Sequence, residues 1–132
     1  MPAYGMEWIV EAHGCRAEAL RDLGALRTLF ADIVRDLGLS VVGEAQWHRF
    51  PVSGGVTGMV MLSESHITCH TFPEFQSICL NVFSCKPRVA WNFEAELRRR
   101  LGAAQVDVRS VERVYGVTEN AAVFDAVGKL DR

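Results

Sequence analysis

The chain has 132 residues, 49% of them hydrophobic and 23% charged, which is the composition of an ordinary soluble globular domain. A net charge of -2 gives no electrostatic reason for a nucleic-acid or anionic-membrane partner, and no apolar run approaches the roughly 20 residues that span a bilayer. The first residues, MPAYGMEWIVEAHG, hold no basic region ahead of an apolar stretch, so no secretory signal is read, and one cytoplasmic domain over residues 1–132 is expected, with Cys15, Cys69, Cys79 and Cys85 as free thiols.

Residues 7–12 (EWIVEA) carry Trp8, Ile9 and Val10 and suit a first strand that Gly14 ends. From Ala17 the period changes. Leu20, Leu23, Leu26, Leu29, Phe30, Ile33, Val34 and Leu37 recur every three or four residues, which predicts one helix of about five turns stopped at Gly38. Residues 40–50 return to strand composition, with Val41, Ala45 and Trp47 on one face and Glu44, Gln46 and His48 on the other. Pro51, Ser53, Gly54 and Gly55 then make a turn. Residues 56–62 (VTGMVML) are nearly all apolar and read as a central strand buried on both faces. In the strand expected over residues 65–72, His66, Thr68 and His70 project to one side and Ile67 and Cys69 to the other, giving a polar lining and a core face.

Pro73 breaks that strand, and residues 77–85 (SICLNVFSC) form the next, with Ile78, Leu80 and Val82 facing away from Cys79, Asn81, Phe83 and Cys85. Trp91, Phe93, Leu97 and Leu101 mark a shorter helix closed by Gly102, with Arg98, Arg99 and Arg100 at its negative dipole end. Residues 105–115 alternate Val106, Val108 and either Ser110 or Val111 in a last strand, and the tail beyond, poor in large apolar groups, is expected to be loosely held. The string of strand, helix, four strands, helix and strand predicts an α+β fold, a two-layer αβ sandwich with an antiparallel sheet and two helices on one face.

Residues 62–75 (LSESHITCHTFPEF) concentrate proton-handling side chains in an apolar setting, where a polar group without a partner is costly. Taken singly, most such residues have ordinary roles: His13 and His48 as structural or exposed groups, Cys15, Cys69 and Cys79 as small buried hydrophobes, Trp8, Trp47 and Trp91 as anchors. A metal is not expected, because Cys69 points away from His66 and His70 on a strand and no second pair completes a tetrahedral set. The Glu64-Ser65 bond between two strands offers different chemistry. With a base to take its proton, Ser65 Oγ can attack the Glu64 carbonyl and move the acyl group from nitrogen to oxygen. β-Elimination of the ester then cuts the chain and leaves a dehydroalanine that hydrolyses to a pyruvoyl group, a built-in ketone able to form a Schiff base with a substrate amine and draw electrons in a decarboxylation.

A bare Glu-Ser pair is weak evidence for this chemistry, and the wider pattern supplies the specificity. Leu62, Glu64-Ser65-His66, His70-Thr71, Pro73-Glu74 and Val82-Phe83-Ser84-Cys85, with His48-Arg49-Phe50 and Gly55-Val56-Thr57-Gly58 upstream, resemble the bacterial and archaeal S-adenosylmethionine decarboxylase proenzymes from the first strand to about Tyr115. The resemblance implies self-cleavage between Glu64 and Ser65, a covalent pyruvoyl group derived from Ser65, and conversion of S-adenosylmethionine to the aminopropyl donor of spermidine and polyamine synthesis. It implies His70 as proton acceptor in processing, Thr57 as a processing hydroxyl, Cys85 as proton donor to the substrate carbon, Phe50 as the stack for adenine, Glu74 as the holder of the ribose hydroxyls, and homodimers of processed protomers with pockets near the interface. The chain departs from the family pattern at Thr57, where serine is usual, at Phe72, Asn81 and Lys86, and over residues 75–80. These departures keep open arginine or ornithine as substrate, and an unprocessed regulatory homologue.

Overall fold

The computed structural model describes residues 3–117. The stretches of two-residue period pair into one antiparallel sheet of six strands: β1 (Ala3–His13), β2 (Gln46–Arg49), β3 (Val56–Leu62), β4 (Ser65–Phe72), β5 (Ser77–Ser84) and β6 (Gln105–Gly116), in the order β2-β3-β4-β5-β1-β6. The stretches of helical period form α1 (Ala17–Leu20), α2 (Leu23–Asp36) and α3 (Phe93–Leu101), and a 3-10 turn occupies Pro73–Phe75. The helices lie on one face, which makes the predicted α+β sandwich. The tail expected to be loosely held falls beyond the described residues. Among those described, no helix is long and apolar enough to cross a membrane.

The core is built by the two periods meeting. Alternate residues Trp8, Val10 and Ala12 of β1, Ile67 and Cys69 of β4, and Ile78, Leu80 and Val82 of β5 are buried against Leu26, Leu29, Phe30 and Ile33 of α2 and Phe93, Leu97 and Leu101 of α3. Trp8 meets Phe93 at 6.3 Å between ring centroids and Trp47 meets Phe30 at 4.7 Å, so the aromatic anchors tie sheet to helices. Of the three consecutive arginines, Arg100 turns inward to Asp32 at 2.5 Å and Glu96 at 2.9 Å and joins α3 to α2.

Several expectations change. The single five-turn helix is two, because Asp22 caps a new start by accepting the Ala25 N–H at 3.1 Å. The strand expected over residues 40–50 shortens to Gln46–Arg49, with only an isolated bridge from Val41 to Leu62 ahead of it, since Gly43 turns the chain at φ 72°. β3 is buried on one face only: Met59 and Met61 are 50% and 59% exposed, because the helices cover just the other side. Cys79 is exposed rather than buried, for it shares that open face with Asn81 and Phe83.

Thr71, beside His70 in the motif, is structural. Its Oγ1 donates to the Leu20 carbonyl and accepts from the Val56 N–H, both at 2.8 Å, and the residue is fully buried, pinning α1 to β3 and β4. Thr71→Val strands one buried donor and one buried acceptor, so denaturant unfolding should show a loss of about 2–5 kcal/mol, most of it restored by Thr71→Ser.

Candidate active site

β3 and β4 are joined by only two residues, Ser63 and Glu64, so Leu62 pairs directly with Ser65 and the Glu64-Ser65 bond lies at the tip of a hairpin. On its other side Ser65 pairs with Ser84 at the end of β5. That register carries Cys85 to the turn, where its N–H donates to the Glu64 carbonyl at 2.8 Å. A carbonyl held by a fixed donor is polarised for attack, and the same donor faces the oxygen on which negative charge would develop. Ser65 Oγ is buried and has no hydrogen-bond partner among the described residues. A reaction at this oxygen would therefore break no hydrogen bond to the described residues.

Cys85 is held on both backbone sides, since its own carbonyl accepts the Tyr115 hydroxyl at 2.8 Å. Gly5 lets the chain pass closely here: a Cβ at that position would lie 2.3 Å from the Ser84 carbonyl oxygen. The Glu64 side chain turns to two cations, with Oε1 3.0 Å from Lys86 Nζ and Oε2 3.7 Å from Arg88 Nη2. Arg88 is itself anchored, donating from Nε to Ser84 Oγ at 3.0 Å and from Nη1 to the Leu37 carbonyl at 2.6 Å. Together with Gly38, Leu39, Ser40, Ser63 and Ser65 these groups enclose a polar cavity of about 130 Å³.

The remaining predicted residues gather at the opposite end of β3 and β4. Thr57 pairs with His70 across the strands, and Thr57 Oγ1 is 3.1 Å from His70 Nδ1. Phe50 and Glu74 line one cavity of about 500 Å³ with Pro51, Val52, Ser53, Thr71 and Phe72. Along β4, Ser65 and His70 are five residues apart, about 17 Å at ordinary strand rise. An odd separation also sends their side chains to opposite faces: Ser65 shares the helix-covered side with Ile67, Cys69 and Thr71, and His70 the open side with His66 and Thr68. One chain thus brings together Glu64, Ser65 and Cys85, and separately Thr57, His70, Phe50 and Glu74.

Asn81 has a local explanation. It donates to Glu7 Oε2 at 2.7 Å, and Glu7 also pairs with Arg113. The Asn81 hydrogen bond, more than Arg113, holds the Glu7 carboxyl below its ordinary range against the effect of burial. An aspartate there would set a second carboxylate against Glu7. Burial pushes the Cys69 thiol up to about 12, which keeps it inert. Among the described residues no group of three His, Cys, Asp or Glu is set to hold a metal. The contacts that sequence reasoning missed are the Cys85 N–H, Tyr115, Gly5 and the Lys86–Arg88 pair; only the basic Cys-Lys-Pro-Arg run after β5 hinted at the last.

Residues 6–114 match the family described as S-adenosylmethionine decarboxylase. The chain is 33% identical over 120 residues to the S-adenosylmethionine decarboxylase proenzyme of Moorella thermoacetica, covering 90% of this chain and 93% of that one. It is also 33% identical over 114 residues to the proenzyme of that name in Methanococcus maripaludis, covering 86% and 92%. With S-adenosylmethionine decarboxylase proenzyme 2 of Halalkalibacterium halodurans it shares 33% identity over 112 residues, covering 82% and 87%.

Proposed function

The chain belongs to the S-adenosylmethionine decarboxylase family, and we propose that it cuts itself between Glu64 and Ser65 and decarboxylates S-adenosylmethionine with a pyruvoyl group made from Ser65. It is a self-processing decarboxylase whose product donates aminopropyl groups in polyamine synthesis. The observation that carries the processing step is Ser65 Oγ, without a partner among the described residues, directly after a two-residue turn whose Glu64 carbonyl is held by the Cys85 N–H. Once formed, the pyruvoyl group supplies an electrophilic carbonyl that binds the substrate amine and accepts the electrons freed as carbon dioxide departs. Cys85 Sγ holds the proton delivered to the substrate carbon. Phe50 offers a face to adenine, the Glu74 carboxylate accepts from the ribose hydroxyls, and aromatic faces favour the sulfonium charge.

Two ends of one sheet carry the two halves of this machinery, which supports a homodimer with composite sites. Each site takes Glu64, Ser65 and Cys85 from one protomer and Thr57, His70, Phe50 and Glu74 from its partner. A twofold pairing through the open sheet faces, about an axis that runs across the strands, would set the ends of one protomer against the opposite ends of the other and bury Met59 and Met61. The four free thiols support a reducing, cytoplasmic location.

Intact mass and carbon dioxide release test the reading together. Expected are chains of 64 and 68 residues, the second lighter by one ammonia than plain hydrolysis would leave it, and release from S-adenosylmethionine but not from arginine or ornithine. An unbroken active chain, or no turnover of S-adenosylmethionine, would overturn it. The role of His70 has its own check. If it removes the Ser65 α-proton, His70→Ala should stall at the ester, and hydroxylamine should then split the stalled protein at residue 64; a variant that hydroxylamine leaves whole would free His70 of that role.

A further inference from the structure

We propose that Lys86 and Arg88 form the receptor for the carboxylate that leaves when the chain severs itself, an inference that rests on the self-processing reading above. The elimination has a defined leaving group. A base takes the Ser65 α-proton, the C–H electron pair becomes the Cα=Cβ bond, the Cβ–Oγ bond breaks, and its electrons stay on Oγ, now an oxygen of the Glu64 α-carboxylate. Negative charge therefore develops on Glu64, the residue whose side chain Lys86 Nζ and Arg88 Nη2 already approach at 3.0 Å and 3.7 Å. Fixed cations beside a developing anion lower the barrier without having to reorganise. Arg88 is fixed in this sense, tied to Ser84 Oγ and the Leu37 carbonyl and only 24% exposed.

The charge balance points the same way. Among the described residues, Glu64, Lys86 and Arg88 are the charged side chains lining the cavity, two cations against one anion. Cleavage adds one carboxylate to Glu64 and no ammonium, because the nitrogen of Ser65 departs as ammonia. The intact site thus holds one positive charge in surplus, and the severed site is neutral. A pair built only to bind the Glu64 side chain would need one cation. Sited thus, Lys86 and Arg88 favour bond breaking and then anchor the new terminus at the end of β3.

Time courses of self-cleavage, with hydroxylamine to report the ester, test this. In the double variant Lys86→Met, Arg88→Met, elimination should slow about a hundredfold while the acyl shift continues, so hydroxylamine-sensitive ester accumulates. Because Arg88 also braces Ser84 and Leu37, Lys86→Met alone, at a position 63% exposed, provides the control against misfolding. It should slow elimination about tenfold with visible ester, and Lys86→Arg should run near the wild-type rate. Equal rates for Lys86→Met and Lys86→Arg, or slow cleavage without ester, would overturn the receptor while leaving self-processing intact. A wild-type chain that never cleaves would remove the underlying reading instead.

Discussion

Ser65→Ala is expected to give one intact chain of 132 residues with decarboxylation reduced to the uncatalysed rate, at least about 10⁶-fold below wild type. The reason is geometric. Only the hydroxyl of the residue that follows a carbonyl can attack it through a five-membered ring, and Ser63, Ser40 and Ser84, though near the turn, do not follow Glu64. The same substitution should spare the fold. Ser65 Oγ has no partner to lose among the described residues, so the buried hydroxyl contributes a desolvation cost and no hydrogen bond, and its removal should be neutral or stabilising. Thermal unfolding should therefore place Ser65→Ala at or above His70→Ala, which also stays uncut. Intact mass, carbon dioxide release and melting of the two variants check all three statements. Fragments from Ser65→Ala at residue 64 would sink the nucleophile assignment, and a large drop in melting temperature would show that Oγ has a partner after all.

Where residue type and period decide an outcome, the sequence was readable. Alternation along Ile78, Leu80 and Val82 against Cys79, Asn81 and Phe83 gave both faces of β5, and the stripe of α2 gave its buried side. Even the break at Asp22 had its signal, an aspartate three residues ahead of a free N–H, but the apolar stripe runs through it and period alone cannot see a cap. Exposure of Met59 and Met61 was not readable, because an apolar run looks the same whether one or both faces are covered. At the site, ESHITCHT sets His70 close to Ser65 in the chain, whereas on a strand five residues mean opposite faces and about 17 Å. The grip of Lys86 and Arg88 on Glu64 depends on Ser65 pairing with Ser84, a register fixed by the fold rather than by either segment.

That separation leads to the second large effect. Ser65→Ala and His70→Ala should each fail to cleave alone, yet co-expression should yield fragments from the His70→Ala chain and none from the Ser65→Ala chain. In a mixed dimer one site carries both substitutions and is dead. The other joins Ser65 of the His70→Ala chain to His70 of the Ser65→Ala chain and is whole. Random pairing of equal amounts makes half of all dimers mixed, so about half of the His70→Ala chains should be cut. Mass spectrometry identifies the cut chain by the substitution its fragment carries at position 70, and carbon dioxide release should reappear with it. Ser65→Ala mixed with Cys85→Ala should restore no decarboxylation, because those residues occupy one end of the same chain and every site lacks one of them. If the first mixture gives no fragments although mixed dimers are recovered, Ser65 and His70 act within one chain. The hairpin would then have to shift during processing, carrying Ser65 some 17 Å along the strand, at the expense of the β3–β4 ladder that now holds Leu62 against Ser65.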